Sequence, residues 1–190
     1  GSTVKPGDIK YRDVNGDGKI DGSDQVMISP YGTTPRIQYG LGMNVTYKKF
    51  DFGVFFNGSA KRTIMISGIS PFGQSDYNVM QFIADDYWSE SNPNPNAKYP
   101  RLTSEGSANN YTTNSLWVAD ASYMKLRTLE LYYNFSQEMM KKSKFIKGAK
   151  VFARGHDLFC VDKIKVLDPE NIGTNHPTMT QYTFGVNLSF

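Results

Sequence analysis

The sequence predicts an all-β chain in which an antiparallel meander forms part of a transmembrane β-barrel, with long extracellular loops that carry short helices. Three observations support this prediction. Apolar and small polar residues alternate along five segments, and long stretches without that alternation separate several of them. No run reaches the roughly 18 apolar residues of a membrane helix, so a membrane role requires strands.

The alternating segments have the length that a membrane strand needs, since a tilted strand crosses a bilayer in about 9–11 residues. They span residues 37–47, 50–58, 121–135, 149–159 and 182–190. Lys48 and Lys49 form a tight turn after the first segment, which predicts a hairpin. Along residues 149–159 Phe152 shares a face with Arg154, so the pattern does not assign the lipid face of this strand.

The last strand shows the clearest alternation, because its apolar residues all fall on one face. They are Tyr182, Phe184, Val186, Leu188 and Phe190. A half-buried strand of a soluble protein can show the same alternation. A final aromatic residue is also typical of the last strand of an outer-membrane barrel, where the apolar face meets lipid and the small polar face meets the lumen.

The other residues are predicted to form loops. Gly1 and Ser2 resemble the remnant of an expression tag. Residues 3–36 are expected to be an extracellular loop, and residues 37–190 the barrel region, with long loops at 61–116 and 160–178. Barrels with long outer loops contain such stretches routinely, whereas compact soluble domains seldom do.

One loop has the pattern of a calcium site, D-x-[DN]-x-[DN]-G followed by further acidic residues. The expected ligands are Asp13, Asn15, Asp17, the carbonyl of Lys19, Asp21 and Asp24. Calcium takes about six to eight oxygen ligands, and a glycine at the sixth loop position allows the sharp turn. A solvated cluster of Asx and glycine turns would use the same residue types. We expect a structural Ca²⁺ that orders this loop.

Aromatic residues are concentrated in the long loop and near its end. They are Tyr77, Trp88, Tyr99, Tyr111 and Trp117. Such rings could stack on sugar rings or peptide side chains of a substrate, and they could equally pack the loop on itself or form an interfacial belt. The sequence leaves these alternatives open.

Composition and motifs exclude several other functions. A net charge of +3 without a basic stripe does not indicate nucleic-acid binding. The two histidines lie outside any recognisable triad or metal spacing, which argues against an enzyme. Asp85 and Asp86 are best interpreted as a solvated acidic face. A single cysteine excludes an internal disulfide framework.

Several strings, taken in order, resemble the C-terminal part of SusC/RagA-family TonB-dependent outer-membrane transporters. The resemblance covers nearly the whole chain, and the ordered combination is more specific than any single string. The strings are Gly7–Asp21, Tyr47–Phe52, Asn96–Leu102, Trp117–Arg127, Asp157–Phe159 with Leu167–Glu170, and Tyr182–Phe190.

The resemblance implies a barrel of about 22 strands with an N-terminal plug, in the outer membrane of a Gram-negative bacterium of the Bacteroidetes type. It also implies nutrient uptake, the import of glycans or peptides with energy relayed by TonB through a segment that is not in this chain. The implied partners are a SusD-like surface lipoprotein and the remainder of the barrel and plug. Tyr182 to Phe190 would serve as the signal read by the assembly machinery, and the isolated segment is expected to self-associate through its unpaired edges.

Other classes of protein fit less of the sequence. A soluble, calcium-stabilised β-sandwich that binds glycans would explain the strands and the calcium loop, but it gives no reason for the terminal Phe190. A dockerin-like module would need two calcium loops, and a hydrolase has the least support. A sandwich should pack its apolar faces inward, whereas a barrel segment should leave one apolar face outside.

Overall fold

The computed structural model describes residues 4–66, 79–102, 108–141, 145–171 and 176–190. They form two compact units: the described residues within Gly1–Gly32 and Thr63–Ala119 make up the first, and those within Thr33–Arg62 and Asp120–Phe190 make up the second. The strands are β1 (Ile37–Tyr47), β2 (Phe50–Ala60), β3 (Thr63–Met65), β4 (Val118–Asp120), β5 (Tyr123–Asn134), β6 (Gly148–Asp162) and β7 (Gln181–Ser189). The helices have four residues each, α1 (Gln81–Ala84), α2 (Ala108–Tyr111) and α3 (Gln137–Met140), and Gly22–Asp24 forms a 3₁₀ turn.

The second unit is one five-stranded antiparallel sheet with the strand order β1-β2-β5-β6-β7. The predicted meander is confirmed, since every strand pairs with the strand that follows it in this order. Strand β6 extends beyond the predicted 149–159, because its pairing with β5 continues to Asp162 opposite Tyr123. Strands β1 and β7 are the edges of the sheet.

The first hairpin turns within two residues. Tyr47 pairs with Phe50, and Lys48 between them adopts a φ of 56°. Two-residue turns of antiparallel hairpins need positive φ because this backbone twist matches the twist of the flanking strands. The turn fixes the register of all eleven residue pairs between β1 and β2.

A bulge in β5 changes the alternation at Arg127. The register shifts between Leu126 and Thr128 against β6, and between Phe55 and Phe56 of β2. Without the extra residue, Leu126 would share the face of Thr128. With it, Leu126 lies on the same face as Leu129, so the apolar side of the strand is continuous on both sides of the bulge.

The first unit has its own aromatic core. Trp117, Ile83 and Tyr99 are buried, with 1%, 0% and 4% of their surface exposed. The Trp117 ring stacks between those of Tyr99 and Tyr111, with centroid distances of 6.0 Å and 5.6 Å. Its Nε1 donates to the carbonyl of Asn110 at 2.6 Å, which satisfies the polar atom of the buried ring.

The N-terminal segment packs onto this core. Gly7 has a φ of +86°, and a Cβ added to it would lie 2.2 Å from Cε3 of Trp88, so glycine is required there. The side chain of Asp8 is 2% exposed and accepts from Arg101 Nε at 2.7 Å and Asn110 Nδ2 at 2.9 Å. Burial opposes ionisation of Asp8, but these donors and the Lys5 N–H outweigh it and hold its pKa below the usual value.

None of the helices among the described residues combines the length and apolar character needed to span a membrane.

Candidate functional site

The register brings apolar residues from all five strands to one face of the sheet. One row across the sheet, formed by residues paired from strand to strand, illustrates this. It consists of Val45, Phe52, Leu131, Ala153 and Phe184. The row also assigns the faces of β6, with Ala153 on the apolar side and its neighbours Phe152 and Arg154 on the other.

This apolar face is exposed. Phe184 is 77% exposed, Leu41 69% and Val186 61%, although all three lie in paired strands. Soluble monomers rarely expose a contiguous apolar patch of more than a few hundred Å². A face of this extent fits contact with lipid, which is the expectation for a barrel segment and not for a sandwich.

The predicted assembly residues lie at the end of this face. Tyr182, Phe184, Val186 and Leu188 belong to β7 and are all exposed, and Phe190 follows the strand with 73% of its surface exposed. Their proposed recognition by assembly machinery remains a prediction, whereas their shared orientation follows from the pairing of β7 with β6.

The opposite face is polar and carries linked side chains. Arg154 Nε lies 2.5 Å from Glu130, and its Nη2 donates to Tyr132 Oη at 2.7 Å. Asp51 accepts from Asn134 Nδ2 at 2.8 Å on the same face. These contacts tie β2, β5 and β6 together through side chains as well as through the backbone.

A buried ion-pair cluster on the polar face holds the segment that follows β6. Lys125 Nζ lies 2.8 Å from Glu170 and 3.3 Å from Asp168, and Arg127 pairs with both Glu170 and Asp157. The Lys125 side chain is only 5% exposed. The bulge places Arg127 beside Asp157, whose φ of 51° marks the matching irregularity in β6.

Further hydrogen bonds fix the same segment. Tyr123 Oη donates to Glu170 at 2.7 Å, and Arg62 Nη1 donates to the carbonyl of Pro169 at 2.8 Å. Asp168 accepts from the backbone N–H groups of Glu170 at 3.0 Å and Thr178 at 2.8 Å. The segment around Pro169 is therefore fastened to the polar face from both sides.

These donors change the acidity of the cluster. Burial alone would raise the pKa of Asp168, but hydrogen bonds from Thr178 and Glu170 and the charge of Lys125 lower it to about 2. Burial opposes ionisation of Glu170 as well, and Lys125, Arg127 and Tyr123 hold its pKa below the usual value. Both carboxylates are therefore ionised at neutral pH.

The loop predicted to bind calcium is closed by backbone hydrogen bonds to its carboxylates. Gly16 and Gly18 N–H donate to the two oxygens of Asp13 at 2.6 and 2.8 Å. Asp24 accepts from Val14 N–H at 2.8 Å and from Asp21 N–H at 2.9 Å, which connects the end of the loop to its start. The Asp21 and Val14 N–H groups hold the pKa of Asp24 below its usual value.

The donor set of this loop suits a hard cation, and Gly18 has the positive φ, +80°, that the sharp turn requires. In the part of the chain that the structure describes, no group of three or more His, Cys, Asp or Glu side chains is arranged to hold a metal ion. The carboxylates bond instead to the loop's own N–H groups. Calcium binding by Asp13, Asn15, Asp17, Lys19, Asp21 and Asp24 therefore stays a prediction.

Two of the aromatic residues proposed to contact substrate pack inside the first unit instead. Tyr99 and Trp117 are core residues, and their burial corrects the expectation that they present their rings to a ligand. Tyr99 and Trp117 instead pack the loop on itself, which is one of the alternatives that the sequence left open. Trp88 and Tyr111 are partly exposed, and Tyr77 lies outside the described residues.

Sequence reasoning did not single out the ion-pair cluster as a site. Four of its members lie in strings that resemble the transporter family: Lys125 and Arg127 in Trp117–Arg127, and Asp168 and Glu170 in Leu167–Glu170. The sequence feature that could have indicated the cluster is the presence of charged residues in two strings of the same family resemblance. Their meeting depends on tertiary pairing across more than 40 positions, with Lys125 and Glu170 separated by 45.

We expect the cluster to stabilise the intact protein in a pH-dependent way. Because the pKa of Asp168 is lowered from 3.8 to about 2, its contribution is fully present above about pH 4 and is lost as the pH falls through about 2. The linked free energy is about 2 kcal/mol. Unfolding midpoints measured from pH 2 to 7 should show a smaller acid-induced decrease in Asp168→Asn.

The matched control is Glu138→Gln, which removes one carboxylate from an exposed position on α3. It should retain the acid-induced decrease of the wild type. Equal acid dependence in wild type and Asp168→Asn would contradict the stabilising role of Asp168.

For the loop at residues 13–24 we expect Ca²⁺ binding that depends on side-chain oxygens. Asp17→Ala should lose the binding heat in titration calorimetry, because it removes a carboxylate ligand. Lys19→Ala should keep it, since Lys19 would bind through its backbone carbonyl. Absence of heat in the wild type, with a melting temperature that a chelator does not change, would exclude the metal.

Comparisons with known proteins find relatives that match nearly the whole chain, although no protein-family model matches it. The chain is 27% identical over 201 residues to TonB-dependent receptor P26 of Formosa agariphila, covering 97% of this chain and 20% of that protein. It is 25% identical over 191 residues to TonB-dependent receptor SusC of Bacteroides thetaiotaomicron, covering 98% of this chain and 18% of the relative.

Solved structures share the fold. The RagAB peptide transporter matches with a TM-score of 0.69 at 21% identity, over 90% of this chain and 19% of that one. The RagAB peptide importer in its open-open state matches with a TM-score of 0.67 at 22% identity, over the same shares of the two chains. The chain spans about a fifth of the length of the curated relatives that it matches. The chain is thus similar over nearly its whole length to a segment of TonB-dependent receptors, SusC among them, and it shares the fold of the corresponding part of the RagAB structures.

Proposed function

We propose that this chain is a barrel segment of an outer-membrane importer of glycans or peptides in a Gram-negative bacterium. The exposed apolar face of the five-stranded sheet carries the proposal. In water such a face would drive aggregation, whereas against lipid tails it needs no further cover. The polar face would then line the lumen, where its ion pairs and hydrogen bonds meet water or other parts of the receptor.

The energy source and the partners are part of the same proposal. The relatives are named TonB-dependent receptors, which supports coupling to TonB through a part of the receptor outside this chain. Resemblance to SusC and RagA supports work with a SusD-like surface lipoprotein. The remaining strands and the plug would complete the barrel, and β1 and β7, which are edges here, would pair with other strands.

A soluble β-sandwich that binds glycans is the competing function. It would require a second layer over the apolar face, since sandwich sheets bury their inner faces about 10 Å apart. Among the described residues the sheet has no such layer, as the exposure of Leu41, Val186 and Phe184 indicates. Burial therefore favours the importer.

The membrane position of the sheet predicts unequal effects of the same substitution at two adjacent residues of β7. Val186→Arg puts a charge on the apolar face and should cost about 2–4 kcal/mol if that face meets lipid near the bilayer centre. Asn187→Arg puts the same charge on the polar face and should change stability little. Both side chains are exposed, so in a soluble protein both changes would stay within about 0.5 kcal/mol.

The measurement is the unfolding of the intact receptor in lipid vesicles by urea, together with its amount in the outer-membrane fraction of cells. Lower stability and lower amount for Val186→Arg alone would support the lipid-facing assignment. Equal behaviour of the two variants would contradict it.

Import predicts a transport defect in cells. Deletion of the receptor gene should abolish uptake of at least one class of compound in a panel of labelled oligosaccharides and peptides, and the intact gene should restore it. Uptake should also stop when TonB is removed, because the relatives are TonB-dependent. Uptake that neither deletion alters would exclude this function.

A further inference from the structure

We propose that a pocket on the polar face of β1 and β2 binds a neutral, hydroxyl-bearing ring such as one saccharide unit. The inference rests on the proposed importer function and selects glycans as the substrate class. It is argued from unpartnered polar atoms, an exposed aromatic ring and the charge balance of the pocket.

The pocket has a volume of about 660 Å³ and lies within the second unit. Small-molecule sites have volumes of about 300–1,000 Å³, so the space accommodates a sugar ring with its neighbours. Its lining includes Phe55, Asn57 and Ser59 from β2, Gly40 from β1, and Arg62 and Glu170.

Two polar atoms at this pocket lack partners. Ser59 is 4% exposed, and its Oγ makes no hydrogen bond within the described residues. The Oδ1 of Asn57, two positions earlier on the same face of β2, is likewise buried and makes no hydrogen bond there. A buried acceptor without a donor is costly, so this pair indicates a bound group that supplies O–H or N–H donors.

An aromatic ring borders these atoms. Phe55 lies on the polar face, although it is apolar and 41% exposed. Its ring covers Gly40 and Gly42 of β1, where a Cβ on Gly40 would come within 3.2 Å of Cζ. The two glycines therefore make room for the flat ring of Phe55 beside the two hydrogen-bond acceptors. A specific site needs this combination of apolar surface and a few polar groups.

The pocket lining contains one cation and one anion, Arg62 and Glu170, and both side chains already make hydrogen bonds within the chain. Arg62 donates to the carbonyls of Thr33 and Pro169, both at 2.8 Å, and Glu170 accepts from Lys125 and Tyr123. An ionised ligand group would lose water here and would meet charges of both signs, whose hydrogen bonds within the chain it would have to displace. A neutral ligand avoids that loss, whereas peptide termini and acidic sugars do not.

The test uses the intact receptor in detergent, applied to an array of neutral oligosaccharides, sulfated or uronic-acid oligosaccharides, and peptides. Wild type should bind neutral oligosaccharides. The double variant Asn57→Leu with Ser59→Ala should bind them about tenfold more weakly, because it replaces two hydrogen-bond acceptors by apolar side chains of similar size. Phe55→Leu should also weaken binding, and Asn187→Leu, on the polar face of β7 outside the pocket lining, should not.

Melting temperature is the second readout, because the rest of the receptor is the main competing occupant. If a ligand fills the pocket, the double variant removes unsatisfied polar atoms and should leave the melting temperature of the free receptor unchanged or higher. A lower melting temperature with unchanged glycan binding would show that the receptor's own chain bonds to Asn57 and Ser59, and would overturn the inference.

Failure of this inference is distinguishable from failure of the proposed function. If the receptor imports peptides only, or if glycan binding is the same in wild type and the double variant, the pocket assignment falls while the importer stands. If deletion of the receptor leaves the uptake of every compound unchanged, the importer itself is excluded, and with it the pocket's role in import.

Discussion

The pairing register of the five-stranded sheet is the constraint on which the other features depend. Side chains alternate strictly between faces, so one slip of a residue would exchange the apolar and polar sides of a strand. The bulge at Arg127 changes the alternation of β5 by one residue and so keeps Leu126 and Leu129 on one face. The same bulge directs a guanidinium to Asp157 and Glu170 on the other. A single inserted residue thus serves both the apolar surface and the polar cluster.

The cluster illustrates why charges can be buried on the polar face of such a sheet. Lys125 would be costly to bury alone, but Glu170 and Asp168 lie within 2.8 and 3.3 Å of its Nζ, and backbone N–H groups satisfy the remaining acceptor of Asp168. The result is a fastened segment beside the pocket, because Glu170 takes part in the cluster and also lines the cavity. Stability of the segment and shape of the pocket are therefore linked through one carboxylate.

The first unit contains little regular secondary structure, and side-chain packing and polar contacts hold it together. Its helices have only four residues each, so they contribute little by themselves. The buried rings of Trp117 and Tyr99 supply the apolar contact, and the Asp8–Arg101 pair with Asn110 anchors the N-terminal segment. The loop that carries the calcium-like sequence extends from this anchored segment, and its carboxylates are occupied by its own N–H groups.

The amino-acid sequence by itself determined the class of fold, the hairpin at Lys48, and the apolar faces of β1 and β7, because period-two alternation is a local property of the chain. It could not assign the faces of β6, which follow from its register with β5 and β7, or place Leu126, which depends on a bulge that only pairing with neighbouring strands reveals. It also left open whether Tyr99 and Trp117 face a ligand or a core, and the tertiary structure decided for the core. The ion-pair cluster and the pocket belong to the tertiary structure alone, because they join residues such as Lys125 and Glu170 that are distant in sequence and meet only when the strands are in register.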